Sequence, residues 1–157
     1  MLDWDEFVAR LRMQAHGLHR LLEPCPEDRI QSVQKEFGEL PLILATMVRR
    51  FNGSELFIVG GPLVTLLGIS TVPPPPPLEW APEWYIDKLT AKWRAEGRRR
   101  DADWAIAMTN YGGLVLLDSN GSVKEWDTAD GRWLSKDRPF KDWIEGIMRE
   151  GETMVRQ

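Results

Sequence analysis

Residues 104–127 constrain this chain more than any other segment, because their pattern reads as three consecutive antiparallel strands. Trp104, Ile106 and Met108 alternate with alanines before Asn110-Tyr111-Gly112-Gly113 turns the chain. Leu114-Val115-Leu116-Leu117 follows, Asp118-Ser119-Asn120-Gly121 turns it again, and residues 123–126 run back. Asn-Gly between two apolar runs is a hairpin signal, since tight hairpin turns require positive φ and these residues tolerate it. The second strand is apolar at successive positions, so neither of its faces is expected to meet bulk water.

Helical patterns surround this meander. In residues 3–22, Trp4, Phe7, Val8, Leu11, Leu18 and Leu22 are spaced by threes, fours and sevens, which predicts an amphipathic N-terminal helix within residues 1–24, weakened at His16-Gly17. Pro26 suits the first turn of a second helix, whose stripe is Ile30, Val33 and Phe37 and whose stop is Gly38. Pro41 opens a third, with Leu44, Met47, Val48 and Phe51 inside and Asn52-Gly53 behind. Leu56-Phe57-Ile58-Val59 reads as a strand, followed by a second apolar run to Ile69. A helix is predicted over 83–96, with Ile86, Leu89 and Trp93 buried, and a last one from Pro139, with Phe140, Trp143, Ile144, Ile147 and Met148 on one stripe and Gly151 as its stop. Five prolines at 73–77 make residues 72–82 a proline-rich connector: they lack backbone donors and adopt polyproline II, either as a stiff surface spacer or as a ligand for an aromatic groove. The whole, 1–157, is the length of one domain of the α+β class.

Composition narrows the function. A net charge of −4 argues against general affinity for nucleic acid or acidic membranes. One cysteine, Cys25, allows no intramolecular disulfide and fits a reducing compartment. No secretory signal is visible and no apolar run is long enough to span a bilayer, so a cytoplasmic location is expected. Eight tryptophans are a high load for this length; most should pack the core, and those left outside would dominate a binding surface.

The candidate chemistry is thin. His16 and His19 stand three apart but lack a second pair of ligands, so no metal is expected. Cys25 sits near a helix start, where its pKa could fall, yet no base–orienter pair accompanies it, and a structural thiol is the better reading. Asp118-Ser119-Asn120-Gly121 lacks the later ligands of a calcium loop and is a turn. No phosphate-loop context surrounds Gly60-Gly61 or Gly112-Gly113. Arg98-Arg99-Arg100 is read as a solvated basic loop. Neither a catalytic residue nor a cofactor is expected.

Several segments, in order, resemble the SUKH superfamily of Smi/Knr-type cell-wall-assembly regulators. They are Phe37-Gly38-Glu39-Leu40-Pro41 with Phe51-Asn52-Gly53; Trp93-Arg94-Ala95-Glu96-Gly97 leading into Asp103-Trp104-Ala105-Ile106-Ala107; Gly112-Gly113-Leu114-Val115-Leu116-Leu117-Asp118 with Gly121-Ser122-Val123; and Phe140-Lys141-Asp142-Trp143-Ile144. The Gly-Asp usual after the first strand of the pair is missing here, and the proline run is atypical. The resemblance implies a single domain with helices packed on a curved, mainly antiparallel sheet, without catalytic residues. It also implies a role like that of bacterial immunity proteins, which bind and neutralise a cognate toxin, or, alternatively, a regulatory scaffold without a toxin partner. Residues placed at the expected partner surface are Trp80, Trp84, Tyr111, Trp126 and Trp133, with Glu125, Asp127 and Asp130 as an acidic rim.

Overall fold

Three α-helices begin beside a proline, which removes a donor that the first turn could not satisfy. The computed structural model describes residues 2–74, 82–96 and 102–156, so the expectations for Trp80, Pro75 to Pro77 and Arg98 to Arg100 lie outside it. Pro26, Pro41 and Pro139 are the N-caps of α2 (Glu27–Phe37), α3 (Leu42–Arg50) and α5 (Phe140–Val155). Asp3 caps α1 (Trp4–Arg12) by accepting from the Asp5 and Glu6 N–H groups. Tyr85 precedes α4 (Ile86–Ala95).

Among the described residues, eight strands form one open antiparallel sheet: β1 (Arg20–Leu21), β2 (Ser54–Ile58), β3 (Pro62–Leu66), β4 (Trp104–Thr109), β5 (Gly113–Leu117), β6 (Ser122–Asp127), β7 (Arg132–Trp133) and β8 (Arg138–Pro139). They lie in sequence order from β1 to β7, and β8 pairs with the other end of β6. The fold is therefore a single α+β domain. The meander is β4, β5 and β6, with Gly112 and Gly121 taking the positive φ of +82° and +80° at its two turns. All five residues of β5 are buried. A register shift between Ala105 and Ala107 interrupts the β4–β5 ladder, and the Ala105 N–H donates instead to Thr90 Oγ1 of α4 at 2.9 Å.

The helices cover the sheet from both sides. Trp4 of α1 packs edge-on against Phe7 (5.2 Å), Phe51 at the end of α3 (5.4 Å) and Phe140 of α5 (5.9 Å), and its Nε1–H donates to the Ile43 carbonyl. Trp143 of α5 reaches Glu125 on one sheet face. Trp93 of α4 meets Trp126 and Trp133 on the other.

Two elements differ from the sequence reading. The N-terminal helix ends at Arg12, not near residue 24: the chain turns at Gly17 (φ +82°), and Arg20 and Leu21 join the sheet edge beside Glu55 and Ser54. His16 and His19 therefore share no helical face. The last helix runs through Gly151 to Val155, because Gly151 is there to admit a ring and not to stop the helix.

That ring belongs to Phe57, fully buried in β2 at φ +54°, a left-handed backbone that costs a bulky residue about 1–2 kcal/mol. His19 holds it. The Phe57 N–H donates to His19 Nδ1 at 3.1 Å, and the two rings meet edge-on at 4.6 Å. Nδ1 as acceptor leaves the proton on Nε2, which bonds Gln14 Oε1. Burial lowers the His19 pKa below 6.5, so the unfolded chain takes up the proton more readily than the folded one. The stability that His19 contributes is complete above pH 6.5 and is lost as the pH falls through the lowered folded value. Urea unfolding at pH 7.5 and 5.5 should show a loss of stability that is smaller in a His19→Gln variant; equal losses would contradict this role.

Candidate functional site

Strand pleat and register decide what the sheet presents on each face. Cross-strand partners run Glu55, Thr65, Met108, Leu114, Trp126, Trp133 from β2 to β7, and residues directly opposite share a face. This is the face on which α4 packs. Trp93, Trp126 and Trp133 form a mutually edge-on triad with centroids 4.9–5.7 Å apart. Trp93 is buried, Trp126 is half-buried, and Trp133 keeps 37% of its surface exposed with Lys124 Nζ 4.7 Å over its ring. Exposed Leu134 lies on the opposite face: its side chain stands where a Gly113 Cβ would point, beside the Tyr111 ring and on the side of Asp127 and Glu125.

At the other end of this face the described residues leave the sheet floor open. A groove of about 890 Å³ opens there, lined by Glu55, Thr65, Met108 and Asn110 from the strands and by Glu83 and Trp84 from the lead-in to α4. Thr109, Asn110 and Gly112 of the β4–β5 turn form one wall, which brings the groove to the turn that carries Tyr111. Thr65 and Met108 are buried floor, Trp84 is half-buried and Glu83 is exposed. No Lys or Arg is among the described lining residues.

Glu125, placed on the acidic rim by the sequence reading, is instead a buried carboxylate, 4% exposed. It alternates with Trp126 along β6 and so points to the opposite face, sharing that side with buried Val123. There it accepts from Tyr111 Oη at 2.6 Å and from Trp143 Nε1 at 3.1 Å, with Arg138 3.7 Å away. Its own N–H donates to Ser135 Oγ. Tyr111 is 57% exposed by area, but burial of its hydroxyl and the Glu125 carboxylate raise its pKa, which keeps the phenol a donor. Tyr111 therefore offers a ring edge to solvent and no free hydroxyl.

Asp127 closes the loop between β6 and β7. Its Oδ1 accepts from the Ala129 and Asp130 N–H groups, and those bonds, led by the one from Asp130, hold its carboxyl below the usual range. Asp130 is exposed, 3.9 Å from Arg132. The structure thus groups Trp126 and Trp133, with Asp130 in the loop beside them, at one end of the face and Trp84 at the other, while the Tyr111 ring lies with Glu125 on the opposite face. Glu55, Thr65 and Met108 were missed by the sequence reading because only the β2–β3–β4 register shows that they meet, and Glu83 because only the tertiary fold brings the lead-in to α4 beside them.

The groups that the sequence offered to catalysis are occupied in the fold. Burial pushes the Cys25 thiol up to about 11, and its S–H points to the Pro26 carbonyl at 3.6 Å. Both ring nitrogens of His19 are bonded. Among the described residues, no group of three or more His, Cys, Asp or Glu is arranged to hold a metal ion, and no helix is long and apolar enough to cross a membrane. The sequence matches no protein-family model and no curated protein.

Proposed function

We propose that this chain is a non-enzymatic, cytoplasmic protein-binding domain of the SUKH type, which neutralises a toxin domain by occupying it with the outer face of its sheet. The observation that carries the reading is the surface itself. An open groove walled by Trp84, Met108 and prolines lies on the same face as the exposed Trp133. Exposed apolar surface with aromatic anchors and a polar margin is what partner binding uses. The α+β architecture agrees with the one that the resemblance implies. Cys25, His19 and Glu125, each spent on an internal contact, support binding over catalysis.

Co-expression with the product of the adjacent gene tests the proposal. The expected result is that the neighbour's product arrests growth alone and that this chain restores it. Trp84→Ala and Trp133→Ala should each weaken the complex about tenfold or more while leaving the fold intact. A neighbour without toxicity, or a complex unaffected by both substitutions, would contradict the proposal.

A further inference from the structure

We infer that the groove between β2–β4 and the lead-in to α4 seats an arginine side chain carried on an extended segment of the protein partner. The inference rests on the partner-binding reading for the source of that segment, and on the groove for its chemistry. Glu55 carries the argument. Its side chain keeps only 12% of its surface exposed, and the cation paired with it, Arg20 Nε, stands 3.6 Å away, beyond hydrogen-bond reach. Arg20 lies directly across the β1–β2 ladder, is half-exposed, and is not among the groove residues, so it approaches from the sheet edge. No described residue donates a hydrogen bond to the Glu55 carboxylate, and its oxygens are not sealed from solvent, so they are open to a donor that enters the groove.

The surroundings select the donor. Glu83 adds a second carboxylate at the rim, where no described residue pairs with it, so the described lining of the groove is acidic and contains no Lys or Arg. Trp84 lines the groove together with the two carboxylates, and a guanidinium can stack on an aromatic ring while bonding a carboxylate through its planar fork. Pro62, Pro82 and Met108 supply apolar wall for the arginine stem. A volume of about 890 Å³ exceeds one side chain, so the flanking residues of the segment enter as well.

The test is a titration of the isotope-labelled full chain with acetylated Gly-Leu-Arg-Leu-Gly amide, followed by amide NMR shifts. A second peptide carries citrulline, a neutral isostere, in place of arginine. The expected result is a set of shifts at Thr65, Met108, Asn110 and Gly112 with the arginine peptide, and binding about tenfold or more weaker with citrulline. Glu55→Gln should remove most of that difference. Glu83→Gln, an exposed position that leaves folding untouched, should remove part of it and serves if the first variant does not fold. Equal binding of the two peptides, absence of shifts at the groove, or shifts that grow with protein concentration before any peptide is added would overturn the inference, the last by assigning the groove to a second copy. Arginine-selective binding without any neutralised toxin would leave the groove chemistry standing and remove the toxin reading. A partner that binds the outer face of Glu55→Gln and Glu83→Gln as tightly as the natural chain would do the reverse.

Discussion

Replacing Gly68 with alanine should leave the chain unable to reach its native state. A Cβ at Gly68 would stand 2.1 Å from the Asn52 backbone oxygen and 2.5 Å from its carbonyl carbon, contacts that no rotamer change can relieve. The two segments are locked from both sides. Gly53, at φ +95°, places its own backbone against Leu66 and Gly68, where a Cβ would come within 2.8 Å of the Leu66 oxygen and 2.9 Å of the Gly68 nitrogen. The buried Asn52 side chain then copies a strand pair: Nδ2 donates to the Ile69 carbonyl at 2.8 Å, and Oδ1 accepts the Ile69 N–H at 2.7 Å. The Ile86 N–H donates to the Gly68 carbonyl, which seats the start of α4 on the same junction. Shifting this crossing to make room for a methyl group would cost the Asn52 bonds, the α4 contact and the β2–β3 pairing together. The expected effect is the loss of cooperative unfolding in circular dichroism and a poor yield of soluble protein. A Gly68→Ala chain with a native melting curve would contradict the close approach.

Gly151→Ala should rank next. An added Cβ would lie 2.3–2.4 Å from three atoms of the Phe57 ring. That ring has nowhere to go: it is fully buried, its backbone is held at φ +54°, and His19 binds its N–H. Overpacking in a core costs about 1–3 kcal/mol and more where the neighbour is fixed, so about 3 kcal/mol is expected here. For a domain of this size that is a fall in Tm of about 6–12 °C. Alanine favours a helix interior over glycine by about 1 kcal/mol, so a rise in Tm would be expected if no ring pressed on this position. The sign of the change therefore decides the matter. A Gly151→Ala, Phe57→Leu double variant should recover part of the loss, since the smaller side chain vacates the space.

These two glycines also show how far the sequence could be read. The meander was legible because each strand carries its own alternation and each turn its own positive-φ glycine, Gly112 and Gly121. Four of the five described helices are marked in the sequence by a stripe and a nearby proline or glycine. Local signals misled where a residue answers to a distant partner. Gly151 looks like a helix stop, yet it sits inside α5 because Phe57, far away in sequence, needs the room. Leu18 and Leu22 continue the helical spacing of α1, but the chain has already turned, and Leu18 and Leu21 pack on the core from the sheet edge. For the candidate site, strand alternation groups Glu125 with Val123 and away from Trp126, so the burial of Glu125 is readable from the pattern of β6 alone. The groove was not readable in that way. It depends on Thr65 lying opposite Met108 and on Glu55 lying opposite Thr65, and register between strands is a tertiary property that pattern alone leaves open.

The central claim is that a protein partner docks on the outer face of the sheet, and hydrogen–deuterium exchange on the complex with the adjacent gene's product tests it most directly. Protection is expected to increase at β3, at the lead-in to α4, at the β4–β5 turn and across β6 and β7, with α1 and α5 unchanged. No complex at all, or protection confined to α1 and α5 on the opposite side, would contradict the account.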